Sequence, residues 1–167
     1  HVLAVLRKGH TRADVETALK VCRQERLSVA PTFVPFTPWT TMEGYCTFLE
    51  EIERLELIGQ VSPIQLALRL LVPQGSPLAD CSELQSFLQP FDTKRLVYPW
   101  RHPDQRVDRC SDEIGALVGQ RTNTSRDALF SEIWELAHDQ AGCSHRTRTI
   151  TSRGRAEVPY LNEPWYC

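Results

Sequence analysis

No two cysteines in this sequence have the spacing of a metal knuckle or a redox motif. They stand at positions 22, 46, 81, 110, 143 and 167. Every C-x-x-C arrangement is therefore absent, and with it zinc-ribbon and thioredoxin-type chemistry. A charge excess is also missing. Lys and Arg number 19 against 21 Asp and Glu, a formal net charge of −2, so no global basic field points to nucleic acid. No apolar run approaches the ~20 residues a membrane-crossing helix needs, and no membrane partner is expected. Internal repeats, an initiator Met and a signal peptide are all absent. The opening His1-Val2-Leu3-Ala4-Val5-Leu6 reads like the middle of something longer.

What is present suits a globular chain. The 167 residues are enough for one domain with a real core, and 41% hydrophobic with 24% charged residues is ordinary for a soluble protein. An even cysteine count admits disulfides, but Cys22 and Cys46 fall on the apolar faces of predicted helices. The expectation is a reduced, cytoplasmic chain whose cysteines are mostly small buried hydrophobes.

Along the chain, Thr11 with Asp14 matches a capping pattern. Val15, Ala18, Leu19 and Cys22 then recur at helical spacing, predicting a helix over 12–25. Residues 27–36 (LSVAPTFVPF) are short, apolar and rich in strand formers, with prolines better suited to the ends of a strand than its middle. Thr40 with Glu43 is a second capping box, and Tyr45, Phe48, Leu49 and Ile52 carry a helix to about 57. Residues 61–72 alternate in period two, which predicts a strand. Helix, strand, helix, strand is the order of βαβ units around a parallel sheet, and the leading helix lacks the strand before it. The reading is α/β, a barrel or sheet that began upstream. The second half differs: a short helix over 82–88, an aromatic and irregular stretch over 91–102, a helix built on Val107, Cys110, Ile114, Leu117 and Val118, and another opened by Thr124 and Asp127 and ended by Gly142. Residues 143–167 have no period and read as an extended tail.

Ligands of parallel α/β folds bind at the C-terminal ends of the strands. That rule selects residues 32–41, with Thr32, Thr37, Trp39 and three prolines (31, 35, 38), and residues 65–76, where Gln65 and Arg69 share a strand face. Facing inward, Arg69 would be a buried charge needing an anion, which a cofactor carboxylate or an acidic side chain would equally supply. Arg7, Lys8, His10 and Arg12 gather before the first helix, where cations and free N–H groups together suit a carboxylate or phosphate, or form a solvated edge. His102 has Asp104 nearby but a proline between, and a surface loop is the plainer reading. His138, four residues after Trp134, reads as an ordinary helix residue. Cys143 and His145 lack zinc-ligand spacing, so no metal ligand is assigned. Cys167, the last residue, is placed for redox work or for reaching into a site.

These stretches together resemble a known family. Residues 7–15 (RKGHTRADV), 30–41 (APTFVPFTPWTT) and 64–73 (IQLALRLLVP) look like the later part of a radical S-adenosylmethionine (SAM) barrel. Residues 98–103 (YPWRHP) and 158–167 (VPYLNEPWYC) are more specific, and resemble the radical SAM group whose chains finish in Cys-Cys-Ala-Glu-Pro, or with selenocysteine for the second Cys.

The resemblance implies a partial (β/α)6 TIM-like barrel whose first-strand loop holds a [4Fe–4S] cluster in C-x-x-x-C-x-x-C and reductively cleaves SAM. On it, residues 1–78 are the C-terminal portion of the barrel, 79–142 a helical post-barrel extension and 143–167 an extended tail. Arg12, Thr32, Thr37, Gln65 and Arg69 become cofactor contacts by position, and Cys167 a redox thiol beside a selenocysteine-type neighbour. The partner is the missing N-terminal half of the barrel, with a small-molecule or peptide substrate. An upstream cobalamin domain stays open. This sequence has neither C-x-x-x-C-x-x-C nor the Gly-Gly-Glu-type motif of the second strand. The expectation is a C-terminal fragment of a radical SAM enzyme, inactive alone. The alternative is a non-catalytic half-barrel that binds a partner or regulates it.

Overall fold

A computed structural model describes residues 1–121 and 124–143. Its four longer helices start where short polar side chains satisfy free N–H groups of the first turn. After the single turn of α1 (Val2–Val5), α2 (Arg12–Gln24) opens on the Thr11–Asp14 capping box. The Thr11 N–H donates to Asp14 Oδ2 at 2.7 Å and the Asp14 N–H to Thr11 Oγ1 at 3.4 Å. α3 (Met42–Arg54) is capped by Thr41, whose Oγ1 accepts the Gly44 N–H at 2.9 Å. The cap is one residue later than the sequence pattern suggests, because Thr40 belongs to the preceding turn. Its Oγ1 donates to Pro35 O at 2.8 Å and accepts the Thr37 N–H at 3.1 Å.

α4 (Ser82–Gln85) is shorter than the pattern over 82–88 predicts. Asp104 caps α5 (Gln105–Gln120) and Ser125 caps α6 (Arg126–Ala141), again one residue after the expected Thr124. Gly142 ends α6 at φ 66°, a left-handed backbone that costs glycine nothing because it has no Cβ.

The core lies among α3, α5 and α6. α3 turns Met42, Tyr45, Cys46, Leu49 and Ile52 inward, α5 Val107, Cys110 and Ile114, and α6 Leu129, Phe130, Ile133, Trp134 and Ala137. Each Val, Leu, Ile, Phe or Met among them contributes about 1.5–3 kcal/mol when fully removed from water. α6 packs on both α3 and α5, so helices from both halves of the chain share one core. A smaller cluster of Leu70, Val72, Leu84 and Trp100 sits beside it. Among the described residues, no helix is long and apolar enough to cross a membrane.

The expected sheet does not form, which overturns the reading of residues 1–78 as part of a (β/α)6 TIM-like barrel. The described residues carry isolated bridges in place of strands: Phe36 parallel to Arg69, and Pro73–Val97, Leu88–Trp100 and Asp92–Val97 antiparallel. Proline accounts for much of this. Pro31 and Pro35 have no N–H to donate, so residues 27–36 cannot sustain a ladder, and pairing is confined to Phe36. Pro63 starts a 3-10 turn (Pro63–Leu66) inside the stretch that alternates in sequence. Beyond it the alternation is genuine: Leu70 and Val72 are buried while Leu71 is 69% exposed. That segment is an extended loop facing the small cluster, not a strand within a sheet.

Candidate functional site

The extended segments meet at Arg69. The Phe36 N–H donates to Leu68 O at 3.2 Å, and the Leu70 N–H to Phe36 O at 2.8 Å, which holds Arg69 opposite Phe36. From there the guanidinium reaches α5: Nη2 is 2.8 Å from Asp108 Oδ1, with the two side chains 27% and 18% exposed. Its central carbon lies 4.1 Å from the Trp100 ring centroid, a cation–π stack. Trp100 is fixed by its own Nε1–H, which donates to Leu70 O at 2.7 Å. Asp108 also accepts the His102 N–H at 3.2 Å, and His102 Nδ1 lies 3.0 Å from the backbone N and O of Asp104. Of the two anions that could have answered Arg69, the fold supplies the acidic side chain.

Thr37 and Gln65 also have structural employment. Thr37 is buried, and its hydroxyl lies 2.9 Å from Thr40 Oγ1. Gln65 stands in the 3-10 turn, not on a strand, and its Oε1 accepts the Phe33 N–H at 2.9 Å. Thr32 is exposed. Thr32, Thr37, Gln65 and Arg69 thus lie on segments joined by the Phe33–Gln65 bond and the Phe36–Arg69 bridge. Arg12 lies elsewhere, on α2. Beside the turn, Val2, Val34, Pro35, Trp39, Thr41 and Phe48 line a cleft of about 290 Å³. His138 is buried in the core, stacked on Trp134 at 4.3 Å, with Nδ1 2.8 Å from Trp134 O. Cys167, His145 and the stretch 158–167 lie outside the described residues.

Arg12 belongs to a surface clasp. It reaches Glu51 at 2.6 Å and Glu16 at 3.4 Å, while Arg54 holds Glu51 at 2.8 Å and also pairs with Glu16. Hydrogen bonding to Arg54, helped by the charge of Arg12, holds the Glu51 carboxyl below its ordinary value of 4.5. A depressed folded-state value stabilises above the unfolded one, and that stabilisation is lost as pH falls through the folded value. We therefore expect the α2–α3 contact to weaken below pH 4.5. Urea midpoints at pH 6 and pH 3.5 should differ less for Glu51→Gln than for the parent. An equal difference in both would remove Glu51 from the clasp.

The cysteines test the implied cluster. An iron–sulfur centre takes thiolates, yet burial pushes the Cys46 thiol up to about 11 and the Cys110 thiol up to about 12. Among the described residues, no group of three or more His, Cys, Asp or Glu side chains is arranged to hold a metal ion. These residues do not fit a [4Fe–4S] cluster.

Asp108 is the functional neighbour that sequence reasoning missed. The need for an anion was visible at Arg69, but its supplier is 39 residues away, and no local pattern links the two. No protein-family profile, no curated protein and no solved structure matches this chain.

Proposed function

We propose that these residues are a C-terminal part of a radical SAM enzyme, catalytically silent alone, with the [4Fe–4S] cluster and SAM held by residues outside this chain. One observation supports the reading. Three of the stretches that carry the resemblance, 30–41, 64–73 and 98–103, are far apart in sequence and join in space. Phe36 bridges Arg69, Arg69 stacks on Trp100, and Trp100 bonds to Leu70. The reading includes a cytoplasmic setting, where persistent structural disulfides are rare.

A second reading, a non-catalytic piece that binds or regulates a partner, is favoured by a different observation: Thr37, Gln65 and Arg69 already have intramolecular partners. The two separate on purification. The 167-residue chain and the product of the reading frame that encloses it are purified without oxygen, then assayed for iron, sulfide and SAM binding. We expect the short chain to carry no cluster and the product of the enclosing frame to carry one on a C-x-x-x-C-x-x-C motif. Stoichiometric iron and sulfide on the short chain, or an enclosing frame without that motif, would overturn the first reading.

A further inference from the structure

Three thiols belong to α3, α5 and the end of α6, the helices that share the core, away from the site above. Cys46 and Cys110 are buried in the core at 4% and 0% exposure, and Cys143 is half-buried just past the end of α6. The helix cap decides where Cys143 lies. Gly142 is left-handed, so the chain turns back and the Cys143 N–H donates to His138 O at 3.2 Å. His138 itself faces α3, its Nε2 3.9 Å from Glu50 Oε1. Glu50 follows Cys46 by four residues, so the two share one face of α3, a single turn apart. The end of α6 is thus laid against the turn that carries Cys46. Burial chiefly raises the Cys46 thiol, with smaller additions from Cys143, Glu50 and Glu43, and burial likewise raises the Cys110 thiol, with a smaller addition from Cys46.

The geometry points to a reversible Cys46–Cys143 disulfide, driven by a low-molecular-weight disulfide such as oxidised glutathione, that staples the C-terminal end of α6 to α3. Cys143 is the entry point because it is the most accessible of the three. Its thiolate attacks one sulfur of the glutathione disulfide, forming a mixed disulfide and releasing one glutathione thiolate. As the α6 end frays, Cys46 gives up its proton and its sulfur attacks Cys143 Sγ, displacing the second glutathione. Two protein thiols are oxidised and one glutathione disulfide is reduced to two thiols, which take up the two protons. Cys110 is the deepest of the three and stays reduced. Burial of Cys46 makes the second step the slow one.

Tryptic peptides separate every cysteine: Cys22 falls in 21–23, Cys46 in 27–54, Cys81 in 70–94, Cys110 in 110–121, Cys143 in 127–146 and Cys167 in 156–167. The reduced chain is treated with oxidised glutathione, alkylated, digested without reductant and mapped by mass spectrometry. We expect 27–54 cross-linked to 127–146, with 110–121 alkylated. The thermal midpoint should rise by several degrees, a gain that dithiothreitol abolishes. In Cys46→Ser the reaction should stop at glutathione on 127–146. A cross-link from 127–146 to any other peptide, or a stable glutathione adduct on 127–146 of the unsubstituted chain, would overturn the assignment.

Discussion

Replacing Tyr45 with alanine is expected to destabilise the fold by about 3–5 kcal/mol. Its ring has no exposed surface and stacks on Phe36 at 4.5 Å with 22° between the planes. Its hydroxyl donates to Leu66 O at 2.8 Å, in a buried bond that ties α3 to the 3-10 turn. One side chain therefore joins a helix, the bridge at Phe36 and the turn leading to Arg69. Tyr45→Phe keeps the stack and leaves Leu66 O without this donor, at a cost of about 1–3 kcal/mol. A domain of this size has about 5–15 kcal/mol in all, so the alanine variant should be partly unfolded at moderate urea. Urea midpoints separate the two terms. Equal midpoints for Tyr45→Phe and the parent would mean that the hydroxyl bond contributes nothing.

Asp108→Ala is the second large effect, about 2–3 kcal/mol. Breaking a fully buried pair costs about 3–5 kcal/mol, and the residual exposure of Arg69 and Asp108 reduces that. The loss has two parts: the guanidinium loses its counter-charge, and the His102 N–H loses its acceptor. Arg69→Met keeps some contact with Trp100 while removing the charge, and should cost about 1–2 kcal/mol. In a double-mutant cycle the two changes should couple, because the double variant no longer leaves a cation unpaired. Additive losses would mean that Arg69 and Asp108 do not depend on one another. The exposed Arg12–Glu51 clasp should weaken with salt, and the Arg69–Asp108 pair much less.

The helices were legible because their causes are local. Thr11 and Asp14 sit three residues apart, and Tyr45, Leu49 and Ile52 recur at the period of a turn, whatever the rest of the chain does. The one-residue slips at Thr40 and Thr124 arise because adjacent positions offer equivalent hydroxyls, and a cap is chosen by the turn that precedes it. The strands were misread for the converse reason. Alternation at Leu70, Leu71 and Val72 reports an extended backbone with one wet side. A sheet additionally requires neighbouring segments with unbroken donors, which Pro31, Pro35 and Pro63 deny.

At the candidate site, sequence chemistry established the need and the fold supplied the answer. An arginine at 69 that faces inward requires an anion, because a buried charge must be answered. That the anion is Asp108 depends on how α5 packs through Val107, Cys110 and Ile114, a contact between segments that share no local pattern. The same holds for the thiols. Their apolar helix positions are written in the spacing of Cys46 and Cys110. The proposed link from Cys143 to Cys46 depends on the Gly142 reversal and on α6 lying against α3. Local periodicity and capping are properties of short windows of sequence and determine helices; partners come from packing, which only the assembled core decides.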